Sequence, residues 1–257
     1  MVEKKGKTII AEKRKASFHP FVSNIIMPAK ALFVLTSNDA LGETGQKTGW
    51  YLPEAAHPHH VLTSAGVTVE WASIKGGEAP VDEGSLDMSD ATNKAFWEGQ
   101  GKAMTSTTKV LAECSPADYD VVLFVGGFET MWDFPDNESV QRFAKEVYEN
   151  GGIAAAVCHG PCALVNVKLS SGEYLVAGQE VAAFTNDEED AVQRREIVPF
   201  TCEDKLKERG ATHVDGGVFK PQVCVARGGR LITGQNPPSA TPFGEAIVSS
   251  LKNQGKL

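Results

Sequence analysis

The chain has no long apolar run: nothing in its 257 residues approaches the ~20 consecutive apolar side chains that a membrane-spanning helix needs. It has no excess of positive charge either. The formal balance of −8 argues against a general nucleic-acid binder. Cysteine is sparse and unpaired. The five cysteines, an odd number, have neither disulfide nor zinc spacing, which fits reduced thiols in a cytosol-like compartment. Repeats, low-complexity tracts and linkers are also missing, so one α/β domain over 28–257 is the economical expectation. What remains, 42% hydrophobic and 23% charged, is ordinary for a globular protein. The first 27 residues stand apart with six basic and two acidic side chains. They fit neither a signal peptide, lacking an apolar core, nor an acid-poor transit peptide, and are expected to form a disordered extension.

From Ala29 onward, short apolar runs alternate with helical patterns. The runs at 29–36, 67–73, 119–126, 153–157, 181–185, 222–226 and 230–233 read as strands, most of them continuous enough to be covered on both faces. Helical patterns occupy 48–65, 93–112, 138–150, 160–166, 188–195, 201–209 and 239–252. The alternation implies a mostly parallel sheet with helices on both sides, and Arg227-Gly228-Gly229 marks a C-terminal antiparallel hairpin. Ligands of such sheets bind beyond the carboxyl ends of the strands. That rim collects 36–49, Gly126-Gly127-Phe128, Cys158-His159 and 185–189.

Residues 153–161, Ile-Ala-Ala-Ala-Val-Cys-His-Gly-Pro, carry the strongest chemical signal. A small buried strand ends in Cys158, and Gly160-Pro161 open a helix, the strand-to-helix elbow that lifts a nucleophile out of a sheet. Helix N–H groups and the positive end of the helix dipole beneath the sulfur favour thiolate and can receive an oxyanion. A buried core cysteine is the plain alternative, but it leaves the neighbouring histidine and the abrupt Gly-Pro unexplained. Gly126-Gly127, after a buried strand, lets backbone amides approach a substrate. By pattern alone Glu54 reads as a surface acid in a first helical turn, although Trp50, Tyr51 and Leu52 beside it could desolvate and protonate it. Asp187, Glu188 and Glu189 are equally eligible to orient a histidine or to sit solvated at a helix start. His57, His59 and His60 lack metal-site spacing, and Pro58 breaks their register, so no metal is expected. Cys162, four residues after Cys158, is expected to pack rather than pair.

Ala156-Val-Cys-His-Gly-Pro161, preceded by Tyr148-Glu-Asn-Gly-Gly152, resembles the elbow signature of the ThiJ/PfpI superfamily. Gly126-Gly-Phe-Glu-Thr-Met-Trp-Asp-Phe-Pro135, Phe184-Thr-Asn-Asp-Glu-Glu189, Leu231-Ile-Thr-Gly-Gln-Asn-Pro-Pro-Ser-Ala240 and Thr48-Gly-Trp-Tyr-Leu-Pro-Glu-Ala-Ala-His-Pro58 extend the match in the expected order. The nearest branch is the heat-shock-chaperone-like one, which includes cofactor-independent glyoxalase III enzymes. The resemblance implies a flavodoxin-like sandwich, often a homodimer. It makes Cys158 the nucleophile, His159 its base, Glu54 the acid against the sulfur and Glu189 the carboxylate orienting His159. Gly127 and His159 would then supply amides to the oxyanion, reversing the pattern-only view of Glu54. One departure stands out: Gly126-Gly-Phe-Glu129 replaces the Gly-Gly-His-Gly of many glyoxalase-active relatives. Phe128 removes a polar group from the pocket rim, so neither substrate preference nor activity comes over with the motif.

The expectation is therefore a cytoplasmic enzyme converting methylglyoxal to lactate without cofactor, its pocket walled by Trp50, Phe128 and Trp132. The alternative is a stress chaperone or oxidation sensor using the same thiol. A glutamine amidotransferase or cysteine peptidase ranks below both, since only His213-Val-Asp215 imitates the required distal His-x-Glu.

Overall fold

The computed structural model describes residues 28–257; the expected N-terminal extension, 1–27, lies outside them. Seven strands form the main sheet: β1 (Lys30–Leu35), β2 (Thr68–Ser73), β3 (Lys109–Val110), β4 (Val121–Phe124), β5 (Ile153–Val157), β8 (Val223–Ala226) and β9 (Leu231–Gly234). A separate parallel pair comprises β6 (Glu180–Val181) and β7 (Thr212–His213). The main order is β3-β2-β1-β4-β5-β9-β8, parallel except for the terminal β8–β9 hairpin. The helices are α1 (Leu52–Ser64), α2 (Ala91–Phe96), α3 (Lys102–Thr105), α4 (Thr130–Asp133), α5 (Glu138–Glu149), α6 (Asn186–Ala191), α7 (Cys202–Glu208) and α8 (Ala240–Asn253). None of the described helices is long and apolar enough to cross a membrane.

Strand periodicity divides the core into two layers. Leu32, Val34, Val122, Phe124, Ala154 and Ala156 face one cluster with Phe143 and Val147 of α5. Phe33, Leu35, Leu123, Val125, Ala155 and Val157 face the other with Ala55 of α1 and Phe243 of α8. Both faces of the central strands are thus dry, which is why they read as unbroken apolar runs. Helix α5 begins where the Asn137 side chain accepts the Ser139 and Val140 N–H groups, and Gly151, at φ +85°, follows its end.

Several elements depart from the sequence expectation. The 93–112 pattern breaks into α2, a π-type turn over Trp97–Gly101 and α3, then enters β3. The hydroxyls of Thr105, Ser106 and Thr107 hydrogen-bond back to carbonyls three to four residues earlier and end the helix. The 181–185 run is not a main-sheet strand: only Glu180–Val181 pairs, with β7, while Ala182 donates to Thr233 Oγ1 and Phe184 to the Cys158 carbonyl. The segment after the elbow is a five-residue 3₁₀ turn, Gly160–Leu164, in place of an α-helix over 160–166. Helix α6 starts at Asn186 and stops at Ala191, earlier at both ends than 188–195. A Thr185–Glu188 capping box sets its start, and Gln193 at φ +58° turns the chain away beyond it.

Candidate active site

Strands β4 and β5 are parallel neighbours with Phe124 level with Ala156, so the chain leaves both at the same rim. Gly126-Gly127 and Cys158-His159 therefore meet. Helix α1 joins them because the Tyr51 N–H donates to the Gly126 carbonyl at 3.1 Å, pinning the helix start to the end of β4. Glu54, in the first turn, is thereby carried against the sulfur.

Cys158 is buried at φ +62°, a left-handed conformation unusual for a residue with a Cβ. Its N–H donates to the Gly234 carbonyl and its carbonyl accepts from Phe184, which holds the strained residue from both sides. Gly126 and Gly127 have to be glycines. A Cβ at Gly126 would strike Glu54 Oε2 and the Val157 carbonyl, and at Gly127, with φ +120°, it would strike the Gly49 carbonyl.

Cys158 Sγ lies 3.4 Å from His159 Nδ1, and His159 Nε2 lies 2.7 Å from Glu189 Oε1. A carboxylate at that distance selects the Nε2–H tautomer and leaves the Nδ1 lone pair facing the sulfur. The imidazole is fixed between two phenyl rings: Phe128 at 4.3 Å between centroids and Phe184 at 4.5 Å, inclined by 39° and 34°.

Glu54 is wholly buried, contrary to its pattern-only reading as a surface acid. Its two oxygens are sealed from solvent without a well-formed hydrogen bond among the described residues; the Cys158 thiol and the Gly126 N–H are their polar neighbours. Burial is the dominant effect and raises the carboxyl from 4.5 to about 8. Burial, and then the field of an ionised Glu54, pushes the Cys158 thiol well above its usual range, while the His159 backbone N–H acts in the opposite direction. Two buried groups that each resist ionisation beside the other carry at most one negative charge between them near neutral pH. The helix-dipole expectation is corrected accordingly, because a single 3₁₀ turn has little dipole to offer.

The cavity over the sulfur measures about 300 Å³, at the small end of ligand pockets. Tyr51, Glu54, Gly127, Cys158 and His159 supply its polar side. Phe128, Phe184, Val192, Phe219, Pro237 and Pro238 supply the rest. Two expected walls are elsewhere: Trp50 is fully buried and donates to the Ala79 carbonyl, and Trp132 packs near Gly42. Tyr51 is a lining group the sequence did not single out. Burial and the nearby Glu54 raise its phenol to about 12, so it faces the cavity as a neutral hydroxyl.

Glu188 turns out to be a scaffold member. Fully buried, it accepts from the Thr185 and Phe219 N–H groups and from the side-chain amides of Gln235 and Asn236, at 2.7–3.0 Å. Cys162 donates to the Thr130 carbonyl rather than meeting Cys158. His57 sits between Thr241 and Asp90, His59 packs on Trp71 and Phe96, and no group of three potential metal ligands converges among the described residues. His213 contacts the Ala183 backbone and is not among the residues lining the cavity, so the amidotransferase arrangement is not assembled.

Known proteins similar in sequence and fold cover most of the chain. A Saccharomyces cerevisiae protein named a glutathione-independent glyoxalase is 32% identical over 88% of this chain and 99% of its own. The structure of Francisella tularensis Rapid Encystment Protein superposes with a TM-score of 0.83 at 36% identity, covering 87% of this chain and 99% of that one. The crystal structure of glyoxalase III from Candida albicans superposes with a TM-score of 0.79 at 29% identity, covering 86% and 97%. The DJ-1/PfpI family pattern matches residues 49–250, a span that includes Glu54, the Gly126-Gly127 turn, the cysteine elbow and Glu189. The chain belongs to the DJ-1/PfpI family.

Proposed function

We propose that this chain is a glutathione-independent glyoxalase that hydrates 2-oxoaldehydes such as methylglyoxal to 2-hydroxy acids such as lactate. The observation that carries the proposal is the sulfur's surroundings: Cys158 Sγ lies in a small cavity 3.4 Å from an imidazole tethered to Glu189, with the buried Glu54 on its other flank. The names of the Saccharomyces and Candida relatives support the same reading.

In this mechanism Cys158 sulfur bonds to the aldehyde carbon while the thiol proton passes through Glu54 to the carbonyl oxygen, giving a hemithioacetal. His159 Nδ1 removes the hydrogen from that carbon, and the electron pair shifts toward the ketone to form an enediol. Glu189 holds the imidazolium. Return of the proton to the second carbon produces a 2-hydroxy thioester, which water cleaves to the acid and the free thiol. Gly127 and His159 N–H groups receive the oxyanion at the addition steps. As written, every proton and electron pair is accounted for by thiol, imidazole, carboxyl and water, so the proposal includes no cofactor.

The test is lactate formation from methylglyoxal by purified protein without added glutathione, alongside Cys158→Ala and Glu54→Gln. Turnover should vanish in Cys158→Ala and fall roughly 10²–10⁴-fold in Glu54→Gln. No turnover in the unaltered protein, or turnover surviving in Cys158→Ala, overturns the proposal. We also propose a cytosolic location, supported by five free cysteines, and a homodimer, supported by the family resemblance. Cell fractionation and light scattering check the two.

A further inference from the structure

Phe219 is the least economical residue of the cavity. Its side chain is 45% exposed, and its backbone holds φ +52°, where a bulky residue is an outlier. The surroundings over-determine that position. The Phe219 N–H donates to Glu188 Oε1 at 2.9 Å, and the Lys220 carbonyl accepts from Asn236 Nδ2 at 2.7 Å. Gln235 bonds the Gly216 N–H through Oε1 at 2.9 Å and the Gly217 carbonyl through Nε2 at 3.0 Å. Three fully buried side chains from two other segments thus bolt residues 216–220 to the rim. A strained, half-exposed aromatic fixed this firmly marks a functional position.

Its ring also completes a series. Phe128 stands 6.0 Å from Phe184, and Phe184 stands 6.4 Å from Phe219, between centroids, so aromatic surface runs from His159 to the cavity mouth. Val192, Pro237 and Pro238 add further apolar lining. The polar groups are confined to the neighbourhood of the sulfur, where the two oxygens of a 2-oxoaldehyde would lie. A methyl substituent would leave most of the apolar wall untouched, and a hydroxylated one would lose hydrogen bonds to water there without replacement.

We propose that Phe219 is a specificity-determining residue and that the cavity selects 2-oxoaldehydes carrying a flat apolar substituent, an aryl glyoxal being the type. This deepens the proposed glyoxalase reading and rests on it. Phenylglyoxal would be converted to mandelate, its ring lying against Phe184 and Phe219.

The test compares kcat/KM for glyoxal, methylglyoxal and phenylglyoxal in the unaltered protein and in Phe219→Ala, with thermal melts confirming that both are folded. Calorimetric binding of mandelate and lactate is measured in parallel and needs no turnover. Phenylglyoxal should exceed methylglyoxal by roughly tenfold or more, and Phe219→Ala should reduce that ratio roughly tenfold. Mandelate should bind more tightly than lactate by a similar factor that the variant abolishes. A ratio at or below one, or one that Phe219→Ala leaves unchanged, overturns the inference while leaving the glyoxalase reading intact. If no oxoaldehyde is turned over, the glyoxalase reading falls. In that case a mandelate preference lost in Phe219→Ala still supports the aryl-selective cavity, and equal binding of the two acids overturns it.

Discussion

Replacing Glu54 by glutamine should make the protein's stability less sensitive to pH, and the size of the effect follows from burial. The carboxyl moves from 4.5 in the unfolded chain to about 8 in the fold. Below pH 4.5 it is neutral in both states and does not oppose folding. Between pH 4.5 and 8 the unfolded chain ionises and the folded chain does not, so the relative stability is lost progressively as pH rises through about 8. At about 1.4 kcal/mol for each pH unit, the full interval corresponds to ~5 kcal/mol. For a chain of this size that is on the order of 10 °C in Tm. Glutamine has the same shape and cannot ionise, so denaturant and thermal melts at intervals from pH 5 to 8.5 should show the Glu54→Gln advantage growing steadily with pH. Glu129 and Asp133, raised by burial to about 7 and about 6, contribute a slope of the same sign to both proteins. That slope cancels in the difference. A constant offset would reflect only altered contacts. Curves that stay parallel across the range would refute the claim that Glu54 is held neutral, and with it the proton transfer through this side chain.

Gly126→Ala places a methyl group against Glu54 Oε2 and the Val157 carbonyl; it should destabilise the fold by about 1–3 kcal/mol in denaturant melts and lower methylglyoxal turnover. Glu188→Ala strands four donors from three segments. Its loss should reach about 3 kcal/mol or more by denaturant melt, and Glu188→Gln, whose single amide oxygen can still accept the three bonds made to Oε1, should lose less.

The elbow, the mostly parallel sheet and the rim that gathers Gly126-Gly127 with Cys158-His159 were legible as local patterns. Small apolar residues in a row make a strand that must be covered on both sides, and Gly-Pro after cysteine leaves few backbone routes. The hairpin was legible for the same reason, since Arg227-Gly228-Gly229 can turn the chain on itself without distant help. Residues 93–112 misled because apolar spacing suggested a helix, while back-bonding hydroxyls ended it near Thr105. The 181–185 run looked like a sheet strand because burial, not pairing, made it apolar: Ala182, Ala183 and Phe184 are covered by the core without joining the ladder.

Local pattern by itself determined that a cysteine would stand on a strained turn at the carboxyl edge of a parallel sheet. The tertiary structure alone decided the chemistry around that sulfur. Whether Glu54 is a surface acid or a buried one depends on a hydrogen bond from Tyr51 to Gly126, more than seventy positions along the chain. Whether Glu188 or Glu189 meets His159 depends on how α6 is capped and rotated, since consecutive helical residues point about 100° apart. Phe219 enters the cavity because Glu188, Gln235 and Asn236 hold its loop there. Burial and electrostatic environment are properties of contacts between segments distant in sequence, and no local pattern contains them.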